Sequence, residues 1–198
     1  MINLKKYIRT VPDFPKPGIQ FRDITSLIES PEAFEETINC FVDKVVGVKA
    51  TKIVGIDSRG FIFGAPISYE LDIPLILARK PGKLPCDTFK RDYELEYGST
   101  SLEIQKASNI KAEDRVIIID DLIATGGTIH ACADLVHKEF NVPKANILLL
   151  AVIDLPDLKG SNLIRDNDYC VDTLIEFHDG ESDLESRYDG WEGDLINQ

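Results

Sequence analysis

The sequence predicts an α/β protein with an open, mainly parallel, twisted sheet and helices on both faces. Three observations carry that expectation. Short apolar runs at 52–57, 73–78, 116–119 and 147–153 read as strands buried on both faces, as in a parallel sheet covered by helices. Between them, apolar residues recur at helical spacing. The glycine-rich and charged residues cluster just past the carboxyl ends of the runs, where open parallel sheets bind ligands. At 198 residues the chain fits one such domain and is too short for two comfortable ones.

Taken in order, residues 3–10 can form a short amphipathic helix with Leu4, Tyr7 and Ile8 on one side. Residues 11–25 hold three prolines and a glycine, which forbid a helix and stiffen an extended or turning arm. Ser30-Pro31 opens a helix, with Ser30 as cap and Phe34, Ile38, Phe41, Val42 and Val45 as its buried stripe. Residues 52–57 form a strand that turns through Ser58-Arg59-Gly60 into a helix over 61–71. Another strand follows at 73–78.

The connection over 81–93 is long for a compact domain and reads as a lid, a binding loop or a disordered segment. With Arg79, Lys80, Lys83, Lys90 and Arg91 it supplies a basic cluster. Residues 101–106 alternate as a strand. After the run at 116–119 a helix starts near Ile129, burying Ile129, Cys132, Ala133, Val136 and Phe140. His130, Asp134 and His137 fall on its other side as a solvated polar face, an expectation that outweighs a metal site. Strands at 147–153 and 173–177 close the sheet, and an acidic tail occupies 179–198.

The chemistry concentrates at Asp120-Asp121-Leu122-Ile123-Ala124-Thr125-Gly126-Gly127-Thr128. A glycine pair at a helix start lets backbone N–H groups approach an anion, and two threonines add donors. No lysine follows the glycines, so this is not the G-x-x-x-x-G-K-S/T nucleotide loop. Two carboxylates beside a phosphate would repel it unless they grip neutral hydroxyls or share a cation. A ribose 5-phosphate meets both needs, with its phosphate on the loop and its hydroxyls on the acids.

This string closely resembles the signature of the type I phosphoribosyltransferases, which bind 5-phosphoribosyl-1-pyrophosphate (PRPP). The arm at 14–25, F-P-x-P-G-I-x-F-R-D-I-T, resembles that of the adenine phosphoribosyltransferases and is the most substrate-specific signal in the chain. The resemblance implies the type I phosphoribosyltransferase fold, with a hood over about 1–30, a flexible lid over about 80–98 and the tail beyond 179. It implies purine salvage, in which adenine and PRPP give AMP and pyrophosphate through an oxocarbenium-like state, with Mg²⁺ held through the substrate and no direct protein ligand. Ala124, Thr125, Gly126, Gly127 and Thr128 would hold the 5-phosphate, and Asp120 and Asp121 the ribose hydroxyls. Asp57, Ser58, Arg59, Arg79, Lys80 and Lys83 would hold pyrophosphate, with a strained peptide at Asp57–Ser58. Gln20, Phe21, Arg22 and Tyr97 would meet adenine. Glu96 would serve the purine N7, as a protonated acid or through a bridging water, with Arg59, Asp120 and Asp121 completing the catalytic set.

A net charge of −12 argues against nucleic acid as a partner. The four cysteines lack disulfide or zinc spacing and suit a reducing cytoplasm. No apolar signal segment follows the basic residues at the start, and no run is long enough to span a bilayer. The resemblance implies a homodimer. Two alternatives stay open: a related enzyme taking hypoxanthine, guanine or xanthine, and a non-catalytic PRPP-sensing regulator on the same fold.

Overall fold

The computed structural model describes residues 2–95 and 98–181. They divide into two compact units, one holding residues up to 37 together with Gly180 and Glu181, the other residues 38–179.

In the smaller unit a single 3₁₀ turn, Leu4–Tyr7, is capped by the Asn3 side chain, which accepts the Lys5 N–H at 3.1 Å. The helix expected across 3–10 stops there, because the chain enters strand β1, Arg9–Pro12, which pairs antiparallel with β2, Gln20–Asp23. Between them the Asp13 carboxylate accepts the Gly18 N–H at 2.7 Å, and Phe14 packs edge-on against Phe21 at 5.1 Å. The Asp23 carboxylate accepts the Thr25 N–H at 2.9 Å and opens a short helix α1, Thr25–Glu29. Helix α2, Pro31–Gly47, begins as expected, with the Ser30 hydroxyl accepting the Ala33 N–H at 3.3 Å.

The larger unit is built on a five-stranded parallel sheet. Along the chain it comprises β3 (Lys52–Ile56), α3 (Gly60–Leu71), β4 (Leu75–Ala78), β5 (Thr88–Leu95), β6 (Gly98–Gln105), β7 (Val116–Ile123), α4 (Gly127–Phe140), β8 (Ile147–Asp154), α5 (Gly160–Asp166) and β9 (Cys170–Glu176). The sheet order is β4-β3-β7-β8-β9, so the chain winds outward from β3 in one direction and from β7 in the other. Between these two strands lies the topological switch point, where the ends of an open parallel sheet leave a crevice. Val116, Ile117, Ile118 and Ile119 are all buried, as a strand covered on both faces requires. Ile118 packs in a cluster with Ile129, Cys132 and Ala133 of α4, while Ile119 lies against Gly64 of α3.

Two further expectations are corrected. The second half of the connection over 81–93, where no strand was expected, is β5, which forms an antiparallel ribbon with β6 from Thr88↔Gln105 to Leu95↔Gly98. The polar side of α4 is not solvated: Asp134 is buried and accepts hydrogen bonds from Arg91, Lys138 and the Tyr169 hydroxyl. The ribbon and Tyr169 cover the face that the helix's own periodicity assigns to solvent.

Candidate active site

The site grows out of the switch point. β3 ends at Ile56, and the chain turns through Asp57, Ser58 and Arg59 into α3, with a cis peptide between Asp57 and Ser58. The register sets Gly55 level with Ile119, so this turn emerges beside the end of β7. Gly60 makes the approach close: a Cβ there would stand 2.3 Å from the Ile119 carbonyl oxygen. Arg59 is thereby brought to Asp121, with Nε 3.0 Å from Oδ2. The angle makes an ion pair rather than a directed hydrogen bond, and Oδ2 keeps no hydrogen-bond partner.

Successive residues of a strand point to opposite faces, so the two acids straddle the end of β7. Asp121 falls with Ile119 on the α3 side and is 2 % exposed. Asp120 falls with Ile118 on the α4 side, where Tyr93 and Cys132 feel its charge, and one of its oxygens accepts the Asp121 N–H at 2.9 Å. Burial pushes the Asp120 carboxyl well above the usual carboxylate range, and the neighbouring Asp121 charge adds to the shift. Asp121 is raised by burial too, but Arg59 pulls it back. Asp120 is therefore the readier proton carrier of the pair.

Past the acids the chain makes the loop of Ala124, Thr125 and Gly126, and Gly126 (φ 79°) starts α4. The first helical hydrogen bond runs from the His130 N–H to the Gly126 carbonyl at 3.0 Å. The amides of Gly127, Thr128 and Ile129 thus have no acceptor within the helix, the arrangement that attracts an anion. The wall behind this nest is Gly160 at the start of α5. A Cβ on Gly160 would lie 2.2 Å from the Ala124 carbonyl oxygen and 2.7 Å from the Gly126 nitrogen. A Cβ on Gly126 would in turn lie 2.7 Å from the Gly160 carbonyl oxygen. Asp154, at the end of β8, accepts the Ser161 hydroxyl at 2.6 Å and steadies that wall.

These parts enclose one cavity of about 500 Å³. It brings together Asp57, Ser58, Arg59, Lys80, Asp120, Asp121, Ala124, Thr125, Gly126, Gly127 and Thr128, all expected at the site. Arg79 and Lys83 do not line it. The Arg79 guanidinium is held at 3.0 Å by the Asp57 carboxylate and at 3.2 Å by the Lys83 carbonyl, and it lies over the Phe61 ring. Arg79 thus holds the turn that carries Ser58 and Arg59, and Lys83 is exposed. Gln20, Phe21 and Arg22 form β2 of the smaller unit, where the Arg22 guanidinium donates to the Thr10 hydroxyl. Glu96 and Tyr97 lie outside the described residues.

Sequence reasoning missed Tyr93, which lines the cavity with its hydroxyl facing Thr128. The alternation of Phe89, Arg91 and Tyr93 against Lys90 and Asp92 was the signal for it. Among the described residues no group of three or more His, Cys, Asp or Glu could hold a metal ion.

The profile of the phosphoribosyl transferase domain matches residues 30–186. The adenine phosphoribosyltransferase of Desulfosudis oleivorans is 48% identical over 176 residues, 89% of this chain and 98% of that protein. The chain belongs to the adenine phosphoribosyltransferases. Solved members of the family share its fold. The enzyme of Thermoanaerobacter pseudethanolicus superposes with a TM-score of 0.80 at 41% identity, covering 88% of this chain and 98% of its own. That of Trypanosoma brucei, solved with AMP, pyrophosphate and ribose-5-phosphate, gives 0.77 at 27% identity, covering 87% and 77%. The family's sheet and the position of the cavity at its switch point explain why the sequence motifs converge on one place.

Proposed function

We propose that the chain catalyses purine salvage: adenine attacks the anomeric carbon of PRPP, giving AMP and pyrophosphate. Membership of the adenine phosphoribosyltransferases supports the choice of base and reaction. The observation that carries the mechanism is the juxtaposition, in one cavity, of the amide nest at 124–128 with the acid pair on β7.

The nest receives the 5-phosphate, with the hydroxyls of Thr125 and Thr128 beside its amides. Asp120 and Asp121 face the ribose, accepting from its hydroxyls and favouring the positive charge that grows on the sugar as the carbon–oxygen bond to pyrophosphate breaks. The electron pair leaves with the diphosphate oxygen, which Ser58, Arg59 and Lys80 receive at the other end of the cavity. The purine nitrogen forms the new bond, and Glu96 handles the N7 proton. The resemblance assigns the recognition of adenine to Gln20, Phe21, Arg22 and Tyr97. Arg79 keeps a part in pyrophosphate binding through Asp57, and Lys83 contributes only as an outer positive charge.

A Mg²⁺ ion fits this donor set: a hard cation takes carboxylate and phosphate oxygens, and Asp57, Asp120 and Asp121 bring carboxylates to the cavity. It would rest mainly on the substrate's own oxygens and, when bound, offset the charge of the leaving diphosphate. Among the described residues no helix is long and apolar enough to cross a membrane. The free thiols of Cys40, Cys86, Cys132 and Cys170 suit a cytoplasmic enzyme, and the family resemblance suits a homodimer.

The test is consumption of free base with PRPP and Mg²⁺, for adenine, hypoxanthine, guanine and xanthine in parallel. Adenine should disappear with matching AMP and pyrophosphate, and the other three should persist. Preference for another base would move the assignment within the family. PRPP binding without turnover of any base would favour the regulator.

A further inference from the structure

The mechanism above leaves unused a row of side chains on the ribbon. Residues two apart on a strand share a face, and Phe89, Arg91 and Tyr93 of β5 all turn toward α4. Phe89 packs edge-on against Phe140 at 5.3 Å. Arg91 donates to Asp134 Oδ2 at 2.7 Å. The Tyr93 hydroxyl faces Thr128 in the nest, close enough to Asp120 to feel its charge. As the strand advances from 89 to 93, its partners step back along the helix from 140 through 134 to 128. β5 is thus docked antiparallel along the whole length of α4.

The middle contact is the unusual one. Asp134 is 7 % exposed and surrounded by donors: Arg91, Lys138 at 2.8 Å, and the Tyr169 hydroxyl at 2.9 Å. Lys138, one turn along the same helix, is enough to neutralise the charge locally. Arg91 adds something Lys138 cannot, a tie between the helix and a strand 43 residues away in sequence. A buried carboxylate with a fixed set of donors defines one arrangement of the elements that carry them. Arg91 itself is not among the residues lining the cavity.

We propose that Arg91 is a positioning residue for the PRPP site: by pairing with Asp134 it fixes β5 on α4, so that Tyr93 stands at the phosphate nest beside Thr128 and Asp120. This rests on reading the cavity as the PRPP site. Tyr93 then orients the Thr128 hydroxyl toward the 5-phosphate and covers the sugar end of the nest. Arg91 acts only through it.

A double-mutant cycle tests this, using Arg91→Met, Tyr93→Phe and the pair, with KM measured separately for PRPP and for adenine and a thermal melt for each variant. Each single change should raise KM for PRPP roughly tenfold and leave KM for adenine within about twofold, and the double variant should be no worse than Tyr93→Phe alone. Arg91→Lys, which keeps the charge with a shorter reach, should recover part of the loss and replaces Arg91→Met if that variant does not fold. A variant with lowered Tm and unchanged KM for PRPP would make the Arg91–Asp134 pair a structural brace only and overturn the proposal. Additive losses in the double variant would overturn it as well, since Arg91 would then act independently of Tyr93. A wild-type chain without PRPP-dependent turnover would sink both this proposal and the reading it rests on, whereas turnover with an indifferent Arg91→Met sinks this one alone.

Discussion

Asp120 and Asp121 are chemically identical and adjacent, yet the strand that holds them gives them different surroundings. Asp121 keeps Arg59 as its partner, while Asp120 has burial and its neighbour's charge against it. A carboxyl raised in the folded state binds more protons there than in the unfolded chain. At acid pH both states are protonated and nothing is lost. As pH rises, the unfolded chain ionises first, so the fold loses stability until the folded carboxyl ionises in turn. Asp120→Asn keeps an oxygen for the Asp121 N–H and removes the charge. It should raise Tm at neutral pH by about 3 °C, for about 1 kcal/mol in a chain of this size, and the gain should vanish toward acid pH. Activity should fall on the order of 100-fold in kcat/KM. Thermal melts across pH beside kinetics check both halves; a lowered Tm at neutral pH would contradict the electrostatic account. Gly160 is the second telling residue. Gly160→Ala forces its methyl group into the Ala124 carbonyl and the Gly126 amide. Overpacking of that kind costs about 1–3 kcal/mol, and because it lands on the nest, KM for PRPP should rise far more than KM for adenine.

Elements divide into those whose signals are local and those made by distant partners. The strands β3, β7 and β8 were legible because both faces are buried and the residues say so in unbroken apolar runs. Helix α2 was legible through its stripe and its Ser30-Pro31 start. The ribbon of β1 and β2 was not, since each strand has only four residues and one ends in proline. β5 was hidden by an arginine at an inward position, which reads as solvent until Asp134 is known to be its partner. The same pair hid the buried side of α4, where Asp134 looks polar and is enclosed. At the site, the turn after β3 and the nest were legible because their residues are contiguous, while Gly160 and Tyr93 reach the cavity from elsewhere in the chain. The basic connection after β4 is not uniform: Lys80 lines the cavity, Arg79 is tied to Asp57, and Lys83 is exposed. Lys80→Ala should therefore raise KM for PRPP about tenfold, the loss expected for a charge-assisted phosphate contact. Lys83→Ala should change it less than about twofold, as an exposed charge does. Side-by-side titration of PRPP with the two variants reads the contrast; equal losses would mean that both side chains meet the diphosphate.

At the scale of the molecule, the winding of the sheet does what no single motif can. Two strands that are neighbours in space, β3 and β7, pair at Lys52↔Val116, 64 residues apart in sequence, and each ends in a turn with its own chemistry. One turn carries Ser58 and Arg59, the other the acids and the amide nest. The chain's net charge of −12 would repel a polyanion at long range, so the attraction must come from those turns and from Lys80 at short range. The measurement that tests this most directly is a crystal structure of the chain with AMP. The account predicts the phosphorus seated on the amides of residues 125–128, with the ribose hydroxyls toward Asp120 and Asp121. A phosphate bound anywhere else, with the nest left to solvent, would contradict it.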